Sequence, residues 1–249
     1  MTTITIERRH LKASLVCMAK ADVRDYLNGA MLETGAGEHG NMVIIVATDG
    51  HRLSVSLAAG TDATESKQVI IPRALIEQVC KHKVDKQACD VVAITCETTL
   101  GEHGDEVHIG MKMPDGTNYV GKALVGRFPD WRRVSRAKRG NGVGVTVDPR
   151  FYGGISDFFS ALSGRFGKPE TINAGLAVDY HCEPDSMGAV AVATKANEAA
   201  YMLIMPMRTP DEDKDAGMAH VASLLAMPAA VNTREHDLRV WEARRAAGA

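Results

Sequence analysis

Hydrophobic and polar positions follow the same order in three segments of the chain. Each segment is a β-branched stretch, then an acidic residue or proline, then arginine, then an apolar residue; the segments are residues 3–11, 68–75 and 144–151. Proline is favoured at the first position of a helix, because its missing N–H would be unpaired there anyway. Each segment therefore predicts a strand that leads directly into a helix.

The residues that follow each segment predict an amphipathic helix and then short strands. Apolar residues recur at helical spacing in all three places: Leu11, Leu15 and Met18; Leu75, Ile76 and Val79; Phe151, Ile155, Phe158 and Leu162. Gly-rich polar pentads at 37–41 and 101–105 predict hairpin turns, and residues 48–51 predict another. Residues 201–207 predict a final apolar strand.

These elements predict an α+β fold with helices on one side of antiparallel sheets. A unit of one strand, one helix and several further strands is repeated over about residues 3–60, 67–127 and 143–208. A Gly-rich basic linker, 135–142, separates the second repeat from the third. Residues 209–249 fit no repeat and are expected to form a helical, partly mobile C-terminal extension.

Composition restricts the possible classes of protein. The chain has 249 residues, 45% of them hydrophobic and 24% charged, which allows a sizeable core and argues against wholesale disorder. A net charge of −2 excludes a tail-driven nucleic-acid binder. No apolar run approaches the roughly 18–20 residues of a membrane span, and the N-terminus lacks a signal-peptide layout. Five scattered cysteines predict reduced thiols in a cytoplasm.

Positive charge is concentrated on the predicted helices. Residues 8–21 carry four Lys or Arg and no acidic residue, and the other two helices show a weaker bias of the same sign. Such helices could be ordinary solvated faces, or they could follow DNA phosphates without reading bases. The residues expected to face DNA are Arg8, Arg9, Lys12, Lys20, Arg24, Arg73, Lys81, Arg150 and Arg165.

Catalytic motifs are missing from the sequence. It contains no P-loop, no G-x-S-x-G motif, no H-E-x-x-H motif and no Cys/His set at metal-binding spacing. We therefore expect no enzymatic activity, no metal site and no cofactor.

Four blocks carry a specific resemblance to a known family: residues 22–29, 47–53, 126–134 and 200–208. In this order they resemble the bacterial DNA polymerase III β subunit, the sliding clamp. The resemblance implies a DNA-clamp fold of three βαβββ modules, with antiparallel sheets outside and helices on the inner face. Residues 1–134 would form a complete clamp domain like the family's middle domain. Residues 143–208 would form half of a domain like the family's last one, with the first domain absent.

Family members hold polymerase on duplex DNA by encircling it, and they perform no covalent chemistry. The resemblance thus implies a processivity factor whose partners are duplex DNA, a DNA polymerase, other clamp-motif proteins and a clamp loader. It would act in a bacterial cytoplasm and be encoded by the bacterium, a phage or a plasmid. Block matching implies a hydrophobic pocket for partner peptides at Leu27, Thr48, Gly50, His51, Arg52, Leu53, Pro129, Arg133, Val134, Leu203, Met205, Pro206, Met207 and Arg208.

Two assemblies remain open at this point. Three modules per chain need four chains to reach the circumference of the family's ring, so we expect a homotetramer with dihedral symmetry. The third module is expected to present an unpaired sheet edge, which another copy would cover across a two-fold axis. The alternative is a non-encircling interaction protein that keeps the pocket and competes for, or recruits, clamp-binding partners.

Overall fold

The computed structural model describes most of the first 205 residues. The described ranges are 2–37, 40–59, 67–83, 90–101, 104–135, 148–162, 176–179, 190–194 and 197–205. All of them belong to the first of the two units into which the chain divides, Met1–Met207. The predictions for Arg165, Pro206, Met207, Arg208, most of the 135–142 linker and the 209–249 extension lie outside the described residues.

The described elements begin with strands that run directly into helices. In chain order they are β1 (Thr2–Glu7), α1 (Arg8–Ser14), a 3₁₀ turn (Asp25–Leu27), β2 (Gly29–Gly37), β3 (Gly40–Thr48), β4 (Arg52–Ala59), β5 (Gln68–Pro72), α2 (Arg73–Lys81), β6 (Val91–Gly101), β7 (Gly104–Lys112), β8 (Asn118–Lys122), α3 (Trp131–Ser135), α4 (Arg150–Leu162), β9 (Leu176–Asp179), β10 (Val190–Thr194) and β11 (Asn197–Ile204). The predicted strand-to-helix transitions at Arg8 and Arg73 are confirmed.

The strands form two antiparallel sheets in which the first two repeats are interlocked. The sheet orders are β1-β6-β7-β8 and β5-β2-β3-β4-β11-β10-β9. Strand β1 pairs with β6 of the second repeat, whereas β5 pairs with β2 of the first repeat. Each repeat thus gives its first strand to the other, so neither repeat forms a sheet of its own.

One apolar core joins both sheets to the first two helices. It contains Ile4 and Ile6 of β1, Leu11 of α1, residues 75, 76 and 79 of α2, and the inward side chains of β2, β3 and β5 to β7. The predicted apolar faces of both helices are therefore buried, as the spacing requires. This arrangement confirms the predicted α+β class.

The predicted hairpins are present. Strands β2 and β3 pair up to Gly37 and Gly40, and β6 and β7 pair up to Gly101 and Gly104, The final strand differs from its prediction, because it begins at Asn197 and ends at Ile204. Its first residues are polar or small and give no apolar signal, which made the predicted strand start too late.

The third repeat joins the seven-stranded sheet through its last strand. Strand β11 pairs with β4, while α4 packs its Ile155 and Phe158 side chains against Ala13 and Cys17 beside α1. The third repeat is therefore paired at β11, while its other end, β9, is an edge of the sheet among the described strands. Among the described strands, this sheet ends at β5 and β9. No helix in the described ranges is long and apolar enough to cross a membrane.

Candidate peptide-docking surface

The seven-stranded sheet carries a second apolar cluster on the face opposite the main core. Neighbouring residues on a strand point to opposite faces, so the same strands that bury Leu32 and Ile45 in the core present other side chains here. We call this set the outer-face cluster: Met31, Val46, Leu53, Val55, Ile70, Phe128, Trp131 and Leu203. It is the largest apolar feature on which the predicted pocket could be built.

Residues 123–135 cross this face and cover part of the outer-face cluster. The segment is anchored at its start by the Leu124 N–H, which donates to the Ile70 carbonyl at 2.9 Å. At its end, Tyr201 of β11 donates its hydroxyl to Ser135 Oγ at 2.8 Å. Phe128 and Trp131 lie between these anchors and bury their rings in the cluster.

An ion pair fixes the same segment to β2. Arg132 donates to both carboxylate oxygens of Glu33, at 2.9 and 2.7 Å, and its guanidinium lies 4.2 Å from the Trp131 ring centroid. Hydrogen bonding by Arg132 lowers the pKa of the Glu33 carboxyl below its ordinary value. Two-point pairing of this kind restricts the guanidinium geometry, so the Trp131 indole is held against the sheet.

The β4–β11 junction brings together two of the blocks that the sequence singled out. Leu53 lies directly opposite Leu203, and both are buried. Beyond the end of β11, the Met205 N–H donates to the His51 carbonyl at 2.8 Å, and the Met205 side chain is exposed. The junction thus places an accessible methionine beside two buried leucines on neighbouring strands.

The turn before β4 is held by its own side chains. Thr48 Oγ1 donates to the Arg52 carbonyl at 2.6 Å and accepts from the Gly50 N–H at 3.0 Å. Asp49 Oδ1 accepts the N–H groups of His51 and Arg52. Gly50 has φ of +89°, in the left-handed region that glycine adopts without strain. These bonds orient the His51 carbonyl toward β11.

The guanidinium of Arg52 does not reach the outer face. It pairs with Asp49 at 2.8 Å and lies 5.0 Å from the ring centroid of Phe151 on α4. Leu53, the next residue along the strand, points to the outer face instead. The prediction that both side chains line one pocket is therefore corrected, because adjacent strand residues face opposite sides of the sheet.

The other predicted pocket residues divide into two groups. Pro129 and Arg133 are exposed on the crossing segment, and Val134 packs against the outer-face cluster. Leu27 is fully buried in the 3₁₀ turn and is not part of that cluster. The sequence analysis missed Phe128, Trp131 and the flanking Tyr26 and Tyr201, although all four aromatic residues lie inside the quoted blocks.

A separate cleft lies on the β5 side of the crossing segment. It has a volume of about 510 Å³, and its lining includes Met31, Gln68, Ile70, Phe128 and Trp131. This volume lies within the range of known ligand sites, roughly 300–1,000 Å³. Pro129 is the residue that this cleft shares with the predicted pocket.

Arg8 is one of two predicted DNA-facing arginines that are bound inside the fold. Its side chain is 12% exposed, and its Nη1 donates to the carbonyls of Val79 and His82 at 2.8 and 2.6 Å. Its Nε lies 2.7 Å from Asp90. Arg8 therefore caps the C-terminal end of α2.

Arg73 makes the reciprocal contact. Its side chain is 17% exposed, and its Nη1 donates to the carbonyls of Leu15 and Met18 just after α1, at 3.2 and 3.0 Å. The last carbonyls of a helix lack partners within that helix, and a guanidinium offers several donors to satisfy them. The prediction that Arg8 and Arg73 face DNA is therefore wrong.

The remaining described candidates are more accessible. Lys12, Lys20, Arg24, Lys81 and Arg150 are exposed, and Arg9 is partly exposed next to Glu7. Arg24 pairs with Asp22 at 2.9 Å and lies beside Gly50, close to the turn described above. Arg150 is 83% exposed, and its hydrogen bonds lower the pKa of Asp148 to about 2.

Comparison with known proteins identifies the family. A family model described as the DNA polymerase III beta subunit, central domain, matches residues 6–130, which is half of the chain. The chain belongs to the DNA polymerase III beta subunit family. Membership in this family agrees with the prediction that the protein is not an enzyme.

Curated relatives of this family match the same part of the chain. The beta sliding clamp of Pseudomonas putida is 35% identical over 128 residues, and that of Escherichia coli K12 is 32% identical over 127 residues. Each alignment covers 51% of this chain and 31% of the relative. The chain therefore spans about a third of the length of the curated relatives that it matches.

Solved structures extend the likeness to more of the chain. A sliding clamp from Pseudomonas aeruginosa aligns with a TM-score of 0.53 at 20% identity, covering 84% of this chain and 66% of that one. The Bacillus subtilis clamp aligns at 0.55 and 15%, covering 84% and 64%. At these identities the likeness concerns the fold alone, and it confirms the predicted clamp fold.

Proposed function

We propose that this chain is a sliding-clamp processivity factor, which encircles duplex DNA as a homo-oligomeric ring and holds a DNA polymerase by a docked peptide. The observation that carries the proposal is the β4–β11 junction. It joins Leu53 to Leu203 and brings Met205 to the turn at His51, although these residues are far apart in sequence.

The junction has the chemistry that a short apolar peptide motif requires. Met205 is exposed and flexible, and a thioether side chain adapts to different apolar partners. Leu53, Leu203 and Val134 supply a packed floor beneath it, while Pro129 and Arg133 stand at its rim. A leucine or aromatic side chain from a polymerase, another clamp-motif protein or a clamp loader would be buried between these groups.

Sequence-independent contact with DNA would use the exposed basic residues of the helices. Lys12, Lys20 and Lys81 lie on or next to α1 and α2, and ammonium groups bind phosphates without distinguishing bases. A topological link needs only weak contacts of this kind, which suits a chain with a net charge of −2. The protein would act in a bacterial cytoplasm, encoded by the bacterium, a phage or a plasmid, as a dihedral homotetramer.

A second candidate is a clamp-like protein that does not encircle DNA but recruits clamp-binding partners or competes for them. One observation favours it. The described residues of the docking surface all come from one chain, so a peptide could bind without ring closure. Peptide binding alone therefore does not distinguish the two candidates, and retention on DNA does.

Peptide binding is tested with Met205→Ala and Leu53→Ala and a fluorescent peptide that carries a clamp-binding motif. Each truncation should weaken binding by roughly 5- to 150-fold, because losing an apolar anchor costs about 1–3 kcal/mol. Leu100→Ala is the matched control, since Leu100 is an exposed leucine on β6. Thermal unfolding checks the fold of each variant. Unchanged affinity in both folded variants would remove the docking assignment.

A further inference from the structure

The first two repeats place two strands at equivalent edges. Counted from the hairpins at Gly37 and Gly101, Thr48 of β3 corresponds to Lys112 of β7. Thr48 pairs with Leu53 of β4, and Lys112 pairs with Asn118 of β8. Strands β4 and β8 are therefore the last strands of their repeats, in the orders β5-β2-β3-β4 and β1-β6-β7-β8.

The two edges differ in what covers them. Val55 of β4 lies opposite Tyr201 of β11 and is 5% exposed. Val120 of β8 holds the corresponding position, since it pairs with Gly110 as Val55 pairs with Val46, and it is 66% exposed. In the ladders that the structure describes, nothing pairs with the outer edge of β8.

We propose that β8 is an interface between copies of this chain, in which it pairs antiparallel with β8 of a second copy across a two-fold axis. The occupant follows from the junction already present. Strand β11 ends the third repeat as β4 ends the first, so the chain pairs one last strand with another. The described last strand that has no such partner is β8, and a second copy offers an identical strand in an isologous contact.

The side chains of β8 suit this pairing. Tyr119 contacts His82 at 2.9 Å and Gly121 faces Leu75, so these two residues point to the α2 side. Val120 therefore points to the opposite face. Pairing over the full five-residue strand would place Val120 opposite the partner's Val120, with apolar contact at the axis. An uncovered edge with exposed apolar residues otherwise invites uncontrolled association.

Charge at the edge does not oppose the contact. Lysines often protect a sheet edge from pairing, but Lys122 Nζ lies 2.7 Å from Glu106 of the neighbouring strand. The ammonium group therefore has a local partner of opposite charge. The contact lies on the four-stranded sheet, away from the outer-face cluster, so loss of assembly and loss of peptide binding can be observed separately.

The test uses Val120→Lys and Val120→Glu in the full chain, with the mass measured by light scattering during gel filtration. Like charges opposite each other disfavour strand pairing, and opposite charges support it. Each variant alone should fall to half of the wild-type mass, and an equimolar mixture should recover it. Val125→Lys is the control, because Val125 is exposed but lies outside β8.

Three results would overturn the interface: a wild-type protein of one chain, a Val120→Lys variant of unchanged mass, or a mixture that stays at half mass. Val120→Cys gives an answer even if the charged variants fail to fold. On mild oxidation it should form a covalent dimer in a non-reducing gel, whereas Val125→Cys and the wild type should not. Burial raises the pKa of Cys17 to about 12 and of Cys80 to about 11, which keeps those thiols unreactive. A Val120→Cys protein that remains monomeric in the gel would also reject the interface.

Discussion

His10 is a titratable side chain that the fold keeps uncharged. It is buried in α1, and burial, together with the nearby charge of Arg9, lowers the pKa of its imidazole from 6.5 to about 4. Buried imidazole is favoured in its neutral form because water cannot solvate the positive charge. The folded protein therefore binds fewer protons at this site than the unfolded chain does between these two values.

This difference predicts a loss of stability in mild acid. The contribution of neutral His10 is complete above pH 6.5 and decreases as the pH falls toward 4, by an amount on the order of 3 kcal/mol. Urea unfolding at pH 7 and pH 4.5 should show that His10→Gln loses less stability between these conditions than the wild type. His51→Gln, at an exposed turn, is the control. An equal acid-induced loss in wild type and His10→Gln would contradict this explanation.

The residues of the docking surface were partly predictable from the sequence. Leu53, Leu203 and Met205 were found because the quoted blocks resemble a known family. Arg52 was assigned to the wrong face, because block matching ignores the alternation of side chains along a strand. Phe128 and Trp131 gave a usable signal as large apolar residues beside Pro129, but their burial depends on the sheet beneath them.

At the scale of elements, the repeated arginines explain how α1 and α2 are fixed to each other. Both helices are short, with seven and nine residues, and helices of this length depend on tertiary contacts. Arg8 at the start of α1 binds the end of α2, and Arg73 at the start of α2 binds the end of α1. The same sequence position in the third repeat is Arg150, whose side chain points to solvent.

These contacts predict unequal effects of equivalent substitutions. Arg8→Ala and Arg73→Ala should each lower the free energy of unfolding by about 1.5–3 kcal/mol, since each removes charged hydrogen bonds to helix carbonyls. Arg150→Ala is the matched control and should change it by less than about 0.5 kcal/mol, as expected for an exposed ion pair. Chemical denaturation measures all three. An Arg8→Ala protein as stable as Arg150→Ala would contradict the capping role.

Element types were more predictable than element partners. Alternation and turn residues located the hairpins at Gly37, Gly101 and Thr48, and helical spacing located α1, α2 and α4. The exchange of β1 and β5 between repeats was not predictable, because alternation shows which face of a strand is buried but not which strand lies beside it. The short helix α3 was missed because Pro129 and Asp130 suggested a turn.

At the scale of the whole molecule, DNA contact should depend on the exposed lysines rather than on the capping arginines. The triple variant Lys12→Glu, Lys20→Glu, Lys81→Glu should weaken duplex binding equally for different sequences. Each lost phosphate contact should reduce the salt dependence, the slope of log K against log salt, by roughly 0.9. Fluorescence anisotropy over a salt series measures this, with exposed Lys112→Glu on β7 as the control. An unchanged slope in the triple variant would contradict the assignment.

Retention on closed circular DNA is the most direct test of the proposed encircling function. Diluted protein is concentrated in the presence of a nicked plasmid, so that rings can close around DNA as their subunits associate. The complex is then isolated by gel filtration at high salt, where phosphate contacts are screened. We predict that the protein stays with the circular plasmid and is released when a restriction enzyme linearises it. Equal retention on circular and linear DNA, or no retention on either, would contradict a clamp that works by encircling DNA.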